Sequence, residues 1–186
     1  MTEIIDFNDN SEKIKKMVLA ALFAALIAVG AYIRIPIVIS AVPITLQTFF
    51  VLLAAVTLGR KWGVASVIVY LLVGFIGFPV FTGGVGGVGI LFGPTGGYLY
   101  SFILVAYLVG LLSEKIEKKP IPLFIISVFG SFLILGIGTV HLSVLSHIPM
   151  AAAVLVGFAP FVIGDVVKSI AVALIAAGVS KKVKSV

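Results

Sequence analysis

Long apolar runs separated by short breaks fill most of this chain and leave few folds open to it. The runs cover residues 17–33, 44–58, 64–78, 98–112, 121–140 and 150–178. Soluble domains typically have about a quarter of their residues charged, whereas only 11% are charged here. Because helices satisfy their backbone hydrogen bonds internally, as lipid requires, the sequence predicts an all-α integral membrane protein with six transmembrane helices.

The lengths of the runs and the breaks between them refine this prediction. Runs 44–58 and 64–78 are shorter than the ~20 residues that span a bilayer, so we expect them to extend into their flanks, or one to be tilted or re-entrant. Run 17–33 is long for a signal-peptide core, so we expect a membrane helix. Prolines should break the helix in residues 34–43, and glycine dominates residues 79–97.

The basic residues predict the orientation in the plasma membrane. With the N-terminus in the cytoplasm and six crossings, every basic residue except Arg34 and Lys168 falls in an inner segment, as the positive-inside rule requires. The inner basic residues are Lys13, Lys15, Lys16, Arg60, Lys61, Lys115, Lys118, Lys119, Lys181, Lys182 and Lys184. We therefore expect a loose cytoplasmic tail over residues 1–16, a six-helix membrane domain over 17–180, and a basic cytoplasmic tail over 181–186.

Asp165 and Lys168 are the ionisable acid and base that fall inside an apolar run. Their i, i+3 spacing places them on one helix face. Asp165 lies 16 residues before Lys181, roughly 24 Å at ~1.5 Å per residue, which predicts the outer half of the membrane. The glycine-rich segment is also predicted on the outside, so the two features indicate one external pocket. The alternative is a purely structural ion pair.

Other polar or glycine-rich positions are weaker candidates. Gly83 and Gly84 belong to a segment whose bare backbone could approach a small molecule closely, or which simply forms an interfacial turn. Gln47 is an amide within an apolar run and needs a partner, on a neighbouring helix or on a ligand. Tyr98 is expected either in the interfacial aromatic belt or at a ligand.

Two series of small residues predict close helix packing. Ala20, Ala24 and Ala28 repeat at four residues, a pattern that lets a helix approach another in this chain or in a partner. Small residues also repeat at seven along the last run and predict that this face packs inside the bundle. They are Gly157, Gly164, Ala171 and Gly178.

Several function classes lack the residues they need. There is no cysteine and no Walker motif, and no set of nucleophile, base and acid is apparent. His141 and His147 lack a carboxylate neighbour and make a poor metal motif. The positive charge follows membrane topology rather than a nucleic-acid surface. We expect neither an enzyme nor a metal or nucleic-acid binder.

Three stretches resemble the BioY family, the biotin-binding S components of energy-coupling-factor (ECF) transporters. They read VPITLQTFFVLLAAVTLGRKWG, FPVFTGGVGGVGILFGPTGGYL and GFAPFVIGDVVKSIAV, and the likeness spans about residues 17–180. The resemblance implies a six-helix S-component fold and capture of biotin from outside. It also implies partners, a transmembrane coupling protein (T component) and two ABC-type ATPases, which would use the ATP. No cofactor of the chain itself is expected.

The family's GDxxK element maps onto Gly164, Asp165 and Lys168. By resemblance, the acid and base bind biotin: a carboxylate can accept the ureido N–H groups, and Lys168 can donate to the ureido oxygen or to the valerate carboxylate. Phe81 or Phe161 is expected in the apolar wall. The resemblance adds Gln47, Gly83, Gly84 and Tyr98 as further substrate contacts, and assigns Ala20, Ala24 and Ala28 to docking on the coupling protein.

One departure leaves the carboxylate partner open. Some relatives carry a basic residue in the glycine-rich loop, where this chain has Val85. Lys168 is then the candidate for the carboxylate, with Arg34 as an outside alternative. Rival functions are an S component for another vitamin and a stand-alone ion-coupled transporter with Asp165 as the coupling site.

Overall fold

Helices make up most of the computed structural model, which describes residues 7–37, 40 and 42–184. The helices are α1 (Phe7–Tyr32), α2 (Gln47–Phe75), α3 (Val88–Leu91), α4 (Gly96–Lys115), α5 (Pro120–Leu145), α6 (Met150–Gly157) and α7 (Val162–Lys184). A 3-10 turn (Ala159–Phe161) joins α6 to α7, and two short antiparallel strands, β1 (Arg34–Ile35) and β2 (Ile44–Thr45), form a ribbon between α1 and α2.

Helix α2 is a hairpin of two limbs. Gly59 leaves the helical region, with φ 76° and ψ −178°. Gln47 Nε2 lies 2.5 Å from the Tyr70 hydroxyl, although these residues would be roughly 35 Å apart on a straight helix. The limbs 47–58 and 60–75 therefore run antiparallel, and they correspond to the second and third predicted membrane segments. Within the described residues, five stretches are long and apolar enough to span a membrane. One of them is this hairpin and another covers residues 150–181. Because the hairpin counts as two segments, six segments are present as predicted.

The last predicted run is not one continuous helix. Pro160 lies in the 3-10 turn that separates α6 from α7, because proline removes a helical hydrogen bond and clashes with the preceding turn. The predicted packing face of glycine and alanine crosses this break and is wrong for α7, where Gly178 is exposed. The buried face of α7 instead carries Asp165, Ser169 and a set of small apolar residues. That set is Val172, Ala173, Ala176 and Ala177.

The bundle is packed around α2 and α4. Helix α1 packs on α2, α4 packs on both α2 and α5, and α5 packs on α7. Fully buried side chains such as Leu52, Val105 and Leu123 fill the centre. Large apolar side chains such as Ile125 and Leu174 are exposed instead, a distribution that suits lipid rather than water as the surrounding solvent.

The bundle has two chemically different ends. Helices α1 and α5 finish, and α4 and α7 begin, at what we call the cavity end. The opposite, basic end carries the hairpin turn and the connection from α4 to α5. There Arg60 pairs with Glu114, Nε to Oε2 at 3.4 Å, and Lys118 donates to the Val56 carbonyl.

The ends of the chain are more helical than predicted. Helix α1 begins at Phe7, so residues 7–16 are not a loose tail. They contain no glycine or proline, and Glu12 and Lys15 form an i, i+3 pair that favours the helix. Helix α7 likewise continues to Lys184. Residues 1–6 and 185–186 lie outside the described part of the chain.

The hairpin turn predicts a penalty for Gly59→Ala. A residue with a Cβ is strained at this φ and ψ, by about 1–3 kcal/mol, which corresponds to a thermal midpoint lower by roughly 2–10 °C for a chain of this size. The measurement is thermal unfolding in detergent. Gly178→Ala is the matched control, because a Cβ there meets open space. Equal midpoints for the two variants would contradict the turn at residue 59.

Candidate ligand-binding cavity

A cavity of ≈ 290 Å³ opens at the cavity end, enclosed by the ribbon, the segment 79–95 and the helices around them. Its volume is close to the lower limit of the ~300–1,000 Å³ usual for small-molecule pockets. The polar lining comprises Arg34, Thr45, Gln47, Thr48, Thr82, Thr95, Tyr98, Asp165 and Lys168. The apolar lining comprises Val42, Pro43, Phe81, Ile90, Leu99, Phe102, Ile134, Leu135 and Phe161. A few polar groups in an apolar wall are typical of a site for a small organic molecule.

The glycine-rich segment supplies one wall through a tight turn. Phe81 and Val85 form an isolated antiparallel bridge, with Phe81 N and Val85 O 2.9 Å apart. The turn between them needs positive φ, 95° at Gly83 and 70° at Gly84, which glycine adopts without a Cβ penalty. This turn places Phe81 and Thr82 in the cavity, so the glycines shape the wall that their neighbours line.

The ribbon supplies another wall. Arg34 faces Thr45 across the two strands, and the Leu46 N–H donates to the Gly30 carbonyl at 3.1 Å, which ties the ribbon to α1. A Cβ at Gly30 would come within 2.9 Å of the Leu46 carbonyl carbon. The absence of a side chain at this point of α1 therefore allows the ribbon to lie directly on the helix.

Asp165 and Lys168 form the charged centre of the lining. Lys168 Nζ donates to Asp165 Oδ1 at 2.5 Å and to the Thr45 carbonyl at 3.0 Å. The Asp165 side chain is 2% exposed and that of Lys168 is 11% exposed. Asp165 lies in the first turn of α7, where the helix dipole stabilises a negative charge.

The pair is thus a structural ion pair and also part of the cavity lining, so the two readings of these residues are compatible. A carboxylate has about four lone-pair positions. The contact from Lys168 leaves Asp165 with acceptor capacity for N–H groups of a ligand.

Gln47 is held by three side chains. Its Nε2 donates to the Tyr70 hydroxyl at 2.5 Å, and its Oε1 accepts from Thr82 at 2.7 Å and from Thr45 at 3.2 Å. The expected partner on a neighbouring helical segment is therefore present, in the second limb of α2. With both acceptor positions of Oε1 in use, the second hydrogen of Nε2 is the group that Gln47 retains for a ligand.

Tyr98 is buried between helices rather than placed in an interfacial belt. Its side chain lies against Gly138, where a Cβ would come within 2.1 Å of the ring, and its hydroxyl donates to the Gly157 carbonyl at 2.8 Å. Because the hydroxyl is engaged in this hydrogen bond, Tyr98 contributes its ring rather than its hydroxyl to the cavity wall.

The structure therefore brings four of the predicted substrate residues into one lining: Asp165, Lys168, Gln47 and Tyr98. Gly83 and Gly84 lie in the adjoining turn and are not in the described lining, and their contact with a ligand stays a prediction. Phe81 and Phe161, expected in the apolar wall, both line the cavity.

The threonines of the lining and Tyr70 were not predicted from the sequence. Thr45 and Thr48 lie within two residues of Gln47, and Thr82 directly precedes Gly83, so nearness to predicted positions was the available signal. Tyr70 carried no signal, because its contact with Gln47 arises only from the turn at Gly59.

The alanine series of α1 packs within this chain, which is one of the two alternatives that its spacing allows. Ala20 and Ala24 are 4% and 6% exposed, so both side chains are buried within this chain, and Ala28 is half-buried. Ala21 and Ala25, one position further along, are exposed. The small residues thus allow α1 to approach its own bundle closely, and contact of Ala20, Ala24 and Ala28 with a partner stays a prediction.

The fold and the cavity define a multi-pass membrane protein that presents a small-molecule pocket at one end of a six-segment bundle. The sequence matches the family described as "BioY family" over residues 4–185. The chain belongs to the BioY family, which is a family of transporters.

Named relatives and a solved structure agree with this assignment. The "Biotin transporter BioY" of Thermotoga maritima is 44% identical over 90% of this chain and 96% of the relative. The "Biotin transporter BioY2" of Lactococcus lactis subsp. cremoris is 43% identical over 87% of this chain and 88% of the relative. A crystal structure of "the S-component for biotin from an ECF-type ABC transporter" superposes with a TM-score of 0.85 at 32% identity, and covers 92% of this chain and 94% of that chain.

The ion pair predicts a stability test that is independent of any ligand. Lys168→Met leaves the Asp165 carboxylate buried without its cation, which costs about 3–5 kcal/mol. The double variant Asp165→Asn, Lys168→Met removes both charges. Its thermal unfolding midpoint in detergent should lie closer to that of the unmodified protein than to that of Lys168→Met. Lys15→Met is the control, since its pair with Glu12 is exposed and contributes little. A double variant as unstable as the single one would contradict charge pairing as the reason.

Proposed function

We propose that this chain is the biotin-specific S component of an ECF transporter and binds biotin in the cavity at the end of the bundle. The observation that carries the proposal is the Asp165–Lys168 pair in that lining, on the GDxxK element, beside largely apolar walls. Membership of the BioY family and the names of the relatives support the choice of ligand. The proposal gives the chain no catalytic step of its own.

The chemistry of the lining matches the two halves of biotin. The ureido ring carries two N–H donors and one oxygen acceptor, and Asp165 and Lys168 offer an acceptor and a donor side by side. The Nε2 of Gln47 can donate to the same ring oxygen. Phe81, Phe161 and their apolar neighbours suit the thiophane ring and the valerate chain. The ring system is therefore assigned to the Asp165 side of the cavity.

The cavity end is proposed to face the outside of the cell and both termini the cytoplasm. Basic residues gather at the opposite end, at the hairpin turn, between α4 and α5, and along the last turns of α7. An excess of basic residues is typical of the cytoplasmic side of membrane proteins. Arg34 and Lys168 are exceptions, and both line the cavity. This orientation lets the protein capture a ligand that arrives from outside.

Transport is proposed to require a transmembrane coupling protein and two ABC-type ATPases, which would hydrolyse the ATP. The similar solved structure, an S-component for biotin from an ECF-type ABC transporter, supports such an assembly. We assign contact with the coupling protein to the exposed face of α1 that carries Ala21 and Ala25 rather than to Ala20 and Ala24, which are already buried in the chain. Small exposed residues permit close helix approach in a membrane.

Asp165→Asn tests the ligand site. The amide replaces an acceptor by a donor toward the ureido N–H groups, and we expect biotin affinity to fall at least about tenfold, since a hydrogen bond to a charged group contributes about 1.5–3 kcal/mol. The measurement is isothermal titration of the purified, detergent-solubilised protein, with thiamine and riboflavin as rival ligands. Asp9→Asn, at the far end of α1, is the matched control. Unchanged binding by a folded Asp165→Asn variant would place the site elsewhere.

Ala25→Leu tests the docking face. A bulky side chain on the exposed face of α1 should reduce co-purification with the coupling protein and the ATPases while biotin binding persists. Ala151→Leu, at another exposed alanine, on α6, is the control and should retain the complex. Normal assembly of Ala25→Leu would show that another surface meets the partner.

A further inference from the structure

Arg34 lies at the mouth of the cavity, and its positive charge has no partner among the described residues. Its side chain lines the cavity, and the residue is exposed, whereas Lys168 is only 11% exposed. Within the described part of the chain, the guanidinium has no hydrogen bond and no ion pair, so its five N–H donors are available. A guanidinium in this state at the edge of a pocket is able to bind an anionic group of a ligand.

The charges of the lining do not balance without a ligand. Asp165 is the acidic residue in the lining, and Lys168 already neutralises it at 2.5 Å. Of the acidic residues that the structure describes, the others lie near the start of α1 or at the end of α4 and just beyond it, at the basic end. Arg34 therefore gives the cavity one uncompensated positive charge, which favours a ligand with one negative charge.

The backbone fixes where this charge sits. Arg34 faces Thr45 across the ribbon, and the Thr45 carbonyl is bonded to Lys168. Towards the other wall, Arg34 Nη1 lies against Gly83, where a Cβ would be only 3.2 Å away. The guanidinium thus spans from the ribbon to the glycine-rich turn, above the deeper Asp165–Lys168 pair.

We propose that Arg34 binds the carboxylate of the ligand and thereby makes the protein selective for the free acid over its esters and amides. The inference rests on the proposed function, because it assigns the second half of the same ligand. A polar ring held deep by Asp165 and Lys168 directs the chain of the ligand to the mouth, where the guanidinium can form a two-point contact with a carboxylate. Lys168 then donates to Asp165 and to the oxygen of the ligand ring, and does not contact the carboxylate.

The test compares ligands that differ only at the carboxyl group. The binding is measured by isothermal titration of the purified full chain in neutral detergent. We expect the dissociation constant of biotin to be at least about tenfold lower than those of biotin methyl ester and biotinamide, a difference of about 1.4 kcal/mol. Arg34→Gln should weaken biotin by a similar factor and leave the ester and the amide unchanged, so that the selectivity disappears. Arg34→Lys should retain part of it, and Arg60→Gln, at the basic end, should retain all of it.

Each other outcome overturns the inference in a distinguishable way. Equal affinity of the unmodified protein for acid, ester and amide would show that no side chain binds the carboxylate specifically. An equal loss of affinity for all three ligands in Arg34→Gln would show that Arg34 stabilises the ribbon rather than binds the carboxylate. Unchanged binding of all three ligands by Arg34→Gln would show that Arg34 does not contact the carboxylate. If the unmodified protein binds no biotin at all, the proposed function itself fails, and the inference fails with it.

Discussion

The ammonium group of Lys168 connects the two parts of the molecule that enclose the cavity. It donates to Asp165 on its own helix and to the carbonyl of Thr45 on the ribbon. A buried ammonium group needs acceptors for its N–H groups, so a shift of the ribbon would cost Lys168 the hydrogen bond to Thr45. The position of the ribbon determines, in turn, where Arg34 and Gln47 lie.

The bilayer explains why the polar site is at one end of the bundle. Irregular backbone is tolerated at membrane depth only where protein covers it or where it lines a water-filled cavity. The ribbon and the glycine-rich segment are the irregular parts of the described chain near the cavity, and both form its walls. The first limb of α2, residues 47–58, is only about 18 Å long. The ribbon therefore occupies membrane depth that a longer helix would have filled.

Sequence patterns predicted what depends on composition and on spacing along one helix. The charge distribution gave six segments, and the i, i+3 spacing placed Asp165 beside Lys168. The orientation of a helix face depends instead on its neighbours, so Ala20 and Ala24 proved to be buried within the chain. The contact between Gln47 and Tyr70 requires a reversal at Gly59 that hydropathy does not reveal.

Hydrogen-bonding capacity separates the structural from the ligand-binding polar groups of the cavity. The oxygen of Gln47 already accepts two hydrogen bonds, and the Tyr98 hydroxyl already donates to a carbonyl. These side chains mainly fix the walls. Asp165 retains acceptor positions, and the guanidinium of Arg34 has no hydrogen-bond partner among the described residues. A ligand that satisfies both must carry N–H groups at one end and an anionic oxygen at the other, and this arrangement describes biotin better than a simple inorganic ion.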